Sequence, residues 1–167
     1  MVEAAARDTL QPALLDRLTD HEPGRKVEGR EDRVISRSQL RASVLRDLSW
    51  LFNTTNLAGD VDLTGHPLVA RSTLNYGLVP LSGRVLSSLD LSELDQVIKD
   101  AILSFEPRIL PHSLSVRGMP LSEPLTHHNV LSFSISGELW GQPYPLELLL
   151  KTEVDLESGE VRITEGR

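Results

Sequence analysis

The chain has no cysteine among its 167 residues. That excludes a disulfide framework, a thiolate nucleophile and a thiolate metal site, and it is compatible with a cytoplasmic setting. Aromatic residues are only 4% of the composition, poor material for stacking sugars. No stretch reaches the roughly 18 apolar residues expected of a membrane span, and Met1 to Gln11 lacks the apolar run of a signal peptide. There is no Gly-x-Gly-x-x-Gly, no Gly-x-x-x-x-Gly-Lys-Ser and no Gly-x-Ser-x-Gly, so nucleotide binding and serine hydrolysis find no support. A formal net charge of −7 argues against a general nucleic-acid binder, which would show a basic face. Basic residues do gather from Arg25 to Arg46, but Glu22, Glu28, Glu31 and Asp32 dilute them. Internal repeats and low-complexity segments are missing too.

What remains is a chain long enough for one domain with an N-terminal arm, burying roughly 70% of its unfolded surface. Leu10, Leu14, Leu15 and Leu18 predict a short amphipathic helix. His21 to Asp32 has almost no apolar residue and holds Pro23, Gly24 and Gly29, so it reads as a linker. The expected division is an arm over 1–32 and a domain over 33–167. Ser36 with Gln39 predicts a capping box, opening a helix whose stripe is Leu40, Val44, Leu45, Leu48, Leu51 and Phe52. Trp50 lies off that stripe, and Asn53 to Asn56 end the helix. Gly59 to Pro67 reads as a loop and Val69 to Leu78 as one or two helical turns, stopped by Gly77 and Pro80. Ser82-Gly83 reads as a turn. In Asn75-Tyr76-Gly77 both Asn and Gly tolerate positive φ, which suits a sharp turn. Asp90 is a candidate N-cap for a second helix, Leu91 to Phe105, with Leu94, Val97, Ile98, Ala101, Ile102 and Phe105 on one face.

After that helix the pattern changes from period 3.6 to period 2. Strands are expected over Ile109–Arg117, Val130–Trp140, Leu146–Leu156 and Val161–Ile163, with a connecting loop from Gly118 to His128 and a hairpin turn at Glu157-Ser158-Gly159. In the second of these Leu131, Phe133 and Ile135 alternate with Ser132, Ser134 and Ser136. Helices first and an antiparallel meander after them predict an α+β fold, N-terminal helices followed by a C-terminal antiparallel β-sheet.

Two features are candidate sites. Glu106-Pro107-Arg108 closes the second helix, where Pro107 stops it and the dipole disfavours a carboxylate. Two residues apart in regular structure, Glu106 and Arg108 would not face each other. The corner is either a local capping pair or a fork of charges for another chain. The last strand, with Val161, Arg162 and Ile163, reads as a sheet edge, which is either protected by its charges or a template for a partner strand.

Catalytic sets are weak. Glu106, Glu123, Glu138, Glu147 and Glu153 could be recruited for glycoside hydrolysis, but acidic residues are plentiful. His127-His128 is a poor metal motif, and His21, His66 and His112 are isolated.

Several segments together carry a resemblance: Leu14-Leu15-Asp16-Arg17-Leu18, Ser43 to Thr54, Ser72 to Leu78, Ala101 to Ile109 around Glu106-Pro107-Arg108, and Gly137-Glu138-Leu139-Trp140. In this order they are similar to the TssE family of type VI secretion baseplate subunits, itself similar to a phage tail-baseplate wedge protein once labelled lysozyme-like. Phe52 and Thr73 stand where a second aliphatic and a Val are expected. The resemblance implies a scaffold, not an enzyme, that joins the baseplate wedge to the contractile sheath and primes sheath polymerisation around the inner tube. Implied partners are the wedge subunits TssF, TssG and TssK and the sheath subunits TssB and TssC, with the VgrG spike hub as a further candidate. The implied setting is a cytoplasmic baseplate docked at the membrane, with no cofactor, metal, nucleic acid or membrane insertion. Under that reading Glu106, Pro107, Arg108, Val161, Arg162 and Ile163 bind neighbours. The alternatives are a peptidoglycan-cleaving lysozyme-like hydrolase and a stand-alone protein-binding adaptor.

Overall fold

The computed structural model describes residues 10–19, 23–24, 34–81, 90–119, 130–141 and 144–166. Among the described residues four α-helices precede four strands: α1 Leu14–Leu18, α2 Arg37–Phe52, α3 Pro67–Ala70, α4 Leu91–Phe105, β1 Ser115–Met119, β2 Val130–Leu139, β3 Leu146–Asp155 and β4 Val161–Glu165. The strands form one antiparallel meander in the order β1-β2-β3-β4. The fold is therefore α+β, with helices first and sheet last.

The two main helices begin where their caps sit. The Ser36 hydroxyl accepts from the Gln39 amide at 3.2 Å, while the Gln39 side chain accepts from the Ser36 amide at 2.8 Å. The Asp90 carboxylate accepts from the Ser92 amide at 2.8 Å. These bonds satisfy donors that a helix start leaves open. On α2, Leu40, Val44, Leu48, Leu51 and Phe52 are buried and Trp50 is 48% exposed. On α4, Leu94, Ile98 and Ile102 are buried.

The sheet alternates as the sequence pattern requires. Leu131, Phe133, Ile135 and Leu139 of β2 lie in register with Val154, Thr152, Leu150 and Leu146 of β3, and all eight are buried. They form the inner face with Val116 and Val161. Ser132, Ser134 and Ser136 point to the other face.

Three expectations change. The first strand is shorter and later than Ile109–Arg117. Ile109 makes a single bridge to Leu139, a turn follows through Pro111, and pairing resumes at Ser115. Pro111 lacks the amide a ladder needs. Gly118 and Met119 belong to β1 rather than a loop, because α4 lies against the strand there. A Cβ at Gly118 would stand 3.3 Å from the Asp95 carboxylate, which itself accepts the Gly118 amide at 2.7 Å. Last, α1 is only five residues and none is buried; its leucines 14, 15 and 18 face out. The anchor is Leu10, outside the helix and 3% exposed, whose carbonyl accepts from the Ile35 amide at 2.9 Å.

Between α2 and α4 the chain makes a loop with a stitched neck. The Leu78 amide donates to Thr54 O at 2.8 Å and the Asn56 amide to Leu78 O at 2.9 Å. Gly77 sits between them with φ +119°, and a Cβ there would lie 2.2 Å from Thr54 O, so only glycine fits. Asn75 keeps negative φ; its amide instead ties Ala58 N–H and Ala70 O, each at 2.9 Å. Ser82-Gly83, His21 and His127-His128 lie outside the described residues.

Candidate functional site

Glu106 is the C-cap of α4, with φ −121° and ψ 79°. Its departure from helical geometry turns its side chain toward Arg108, so the two charges meet although regular structure would keep them apart. The Arg108 Nε donates to Glu106 Oε1 at 2.6 Å and its Nη2 to Oε2 at 2.5 Å. The Arg108 backbone amide adds a third bond to Oε1 at 3.1 Å. Glu106 is 4% exposed. Arg108 then reaches α2: Nη2 donates to Asp47 Oδ2 at 2.5 Å and Nη1 to the Ser43 hydroxyl at 3.2 Å. A planar guanidinium serves four acceptor atoms on three side chains in this way.

The chain of charges continues outward. Asp47 also accepts from Arg46 Nε at 2.9 Å, and Arg46 pairs with Asp16 of α1 while its guanidinium lies 5.0 Å from the Trp50 ring centroid. Tyr76 closes the flank, its hydroxyl donating to Asp47 O at 3.4 Å and its ring edge-on to Phe105 at 5.2 Å. Burial works against the Arg108 charge, but Glu106 and Asp47 outweigh it and hold the pKa above the ordinary arginine value. Arg46 is raised by its hydrogen bond to Asp16, against burial and with help from Asp47. Burial, then the Asp47 and Glu106 charges, push the Tyr76 phenol up.

The expected fork for a neighbouring chain is thus engaged inside this one. The corner is a strut that pins α2 to the end of α4, because a carboxylate this buried requires its counter-charge nearby. Pro107 stays exposed, and the Arg108 side chain keeps 23% exposure.

The second site is β4. Asp155 N–H bonds to Glu160 O and Gly166 N–H to Leu149 O. Antiparallel alternation then points Arg162 and Thr164 at β3, and turns the amide and carbonyl of Val161, Ile163 and Glu165 away from the sheet. Val161 is already occupied. Asn53 Oδ1 accepts its amide and Asn53 Nδ2 donates to its carbonyl, both at 2.9 Å. Among the described residues nothing bonds the outward groups of Ile163 and Glu165. Arg162 is exposed and pairs with Glu160 at 3.2 Å.

The hydrolytic candidates do not converge. Glu106 is locked to Arg108, while Glu138, Glu147 and Glu153 stand exposed on the sheet's outer face; Glu123 lies outside the described residues. No group of three His, Cys, Asp or Glu among the described residues could hold a metal ion. No described helix is long and apolar enough to cross a membrane.

Sequence reading missed Asp47, Arg46, Asp16 and Asn53 as site residues. Ser43 and Asp47 one turn apart put two acceptors on one face of α2, which was a usable signal. Asn53 reads in sequence only as a turn former.

Residues 38–144 match the family described as baseplate wedge protein gp25. No curated protein and no solved structure matches the chain. The matched span is more than half of the molecule and includes α2, α4, β1, β2 and the Glu106 corner. The chain belongs to this family, and its role is that of a structural protein of a phage-tail-like baseplate.

Proposed function

We propose that this wedge-family chain is a TssE-type subunit of a type VI secretion baseplate, joining the wedge to the contractile sheath and priming sheath polymerisation around the inner tube. It acts by holding neighbours, without turnover. Wedge contacts go to TssF, TssG and TssK, sheath contacts to TssB and TssC, and the VgrG hub lies within the same assembly, in a cytoplasmic baseplate docked at the membrane. The observation that carries this reading is the open margin of β4, where the outward backbone groups of Ile163 and Glu165 have no partner among the described residues. A strand added there gains main-chain bonds that any sequence can make, with alternate side chains fixing register. Within Val161, Arg162 and Ile163 the docking groups are those of Ile163, continued by Glu165, since Arg162 turns its backbone to β3 and Val161 is held by Asn53. The corner supports the wedge contact as a rigid unit, with Glu106 and Arg108 fixing its shape and Pro107 at its surface.

The ladder supplies a sharp test. Proline at Ile163 removes an outward amide and leaves the bonds to β3 in place, whereas proline at Arg162 removes a bond to β3 itself. Ile163→Pro should abolish sheath assembly with TssB and TssC while the melting temperature stays near that of Ile163→Ala, the control for the lost side chain. Arg162→Pro should lower the melting temperature as well. Normal sheaths with Ile163→Pro would overturn the docking edge.

A further inference from the structure

Asn53 sits at the end of α2 and reaches across the sheet margin. Its carboxamide makes the two bonds to Val161, N–H to Oδ1 and Nδ2 to O, that the peptide groups of an added strand would make to an outward-facing residue. A third bond, from Nδ2 to Ser49 O at 2.8 Å, ties it to the last turn of α2. The side chain therefore stands where one residue of a docking strand would stand, at the end of β4 next to the β3–β4 turn. The next outward positions, Ile163 and Glu165, have no such occupant among the described residues.

We propose that Asn53 is the register stop of this edge: an extended partner segment pairs with Ile163 and Glu165 and ends short of Val161. The inference rests on the reading of β4 as a docking edge and adds where the docking strand ends and which residue ends it. It also defines the partner's pattern. Val161, Ile163 and Glu165 share the inner-face parity, and Ile163 is partly buried against the core. A partner residue opposite Ile163 is therefore aliphatic. Glu165 lines an open cavity of about 260 Å3 with Arg41 and Glu147, and the Arg41 guanidinium is already bonded to Glu147 O at 2.5 Å. Among the described residues no ion pair reaches Glu165, which favours a lysine or arginine opposite it, two residues along from the aliphatic one.

Amide hydrogen exchange tests this, read residue by residue in the free chain and, after quenching and dissociation, in assemblies with the sheath subunits TssB and TssC. In the free chain the Val161 amide should exchange at least about tenfold more slowly than that of Ile163. On assembly the Ile163 and Glu165 amides should slow by about tenfold or more, with Val161 unchanged. Asn53→Ala should speed Val161 to the rate of Ile163 in the free chain and allow it to become protected on assembly. Asn53→Asp keeps the acceptor for the Val161 amide and should keep it slow, which separates loss of the contact from loss of the helix end. If Ile163 and Glu165 slow on assembly but Val161 does not depend on residue 53, the register stop is wrong and the docking edge stands. If Ile163 and Glu165 stay fast on assembly, the docking edge falls and the register stop with it.

Discussion

At the scale of single residues, Thr152 shows how much an unmade bond matters. It is 2% exposed, faces Phe133 and Ile163 across the sheet, and its hydroxyl has no partner among the described residues. A buried hydroxyl without a bond costs roughly 1–3 kcal/mol, and valine has the same shape. Thr152→Val should therefore raise stability by about 1 kcal/mol in urea denaturation; a destabilised variant would mean that the hydroxyl is bonded in solution. Tyr76 carries a pH signature. Burial and the neighbouring Asp47 and Glu106 charges raise its pKa above the ordinary value. A phenol raised in this way contributes stability that is fully present below the unfolded value of about 10 and is lost as pH rises through the folded one. Absorbance titration of a Tyr144→Phe variant, which isolates Tyr76, should show ionisation above pH ~10. Asp47→Asn should move it down by removing one of the charges. An unmoved titration would place Asp47 too far from the ring to act.

At the scale of elements, the Glu106 corner decides whether two helices stay in place. Removing Arg108 strands a carboxylate that is 4% exposed, so Arg108→Ala should cost about 3 kcal/mol and lower the thermal midpoint. Glu106→Gln with Arg108 intact should cost less, because Arg108 retains Asp47 and solvent. Equal midpoints for Arg108→Ala and the parent would show that the strut contributes no stability. The elements themselves were legible in the sequence. The stripe of α2, the face of α4 and both caps are local signals, since each depends on residues within one or two turns. The alternation of β2 and β3 is equally local. The site was only half legible for the same reason. Glu106-Pro107-Arg108 is a local motif and stands out, but its partner Asp47 is 61 residues away. Asn53 and Val161 are 108 apart, and nothing near Asn53 distinguishes an edge-capping amide from a turn former. Distances that only the fold creates leave no periodic trace.

At the scale of the whole molecule, each outer strand of the sheet is tied by a side chain at one backbone position. Asp95 of α4 caps β1 at Gly118, while Asn53 caps β4 at Val161 and nowhere beyond among the described residues. The N-terminal segment is fixed to this body at two described points of different kind. Leu10 is in the core at 3% exposure, and Asp16 pairs with Arg46 in a half-exposed setting. Apolar burial should dominate, because a partly exposed ion pair contributes at most about 1 kcal/mol, whereas truncating a buried leucine costs roughly 2–5 kcal/mol. Leu10→Ala should therefore lower the urea midpoint clearly. Asp16→Asn should leave it within about 0.5 kcal/mol of the parent, while both variants speed limited proteolysis between Leu10 and Leu18. A larger loss from Asp16→Asn than from Leu10→Ala would mean that the charge chain running from Asp16 through Arg46, Asp47 and Arg108 to Glu106 acts as one coupled unit, and that α1 is part of the strut rather than an attachment to it.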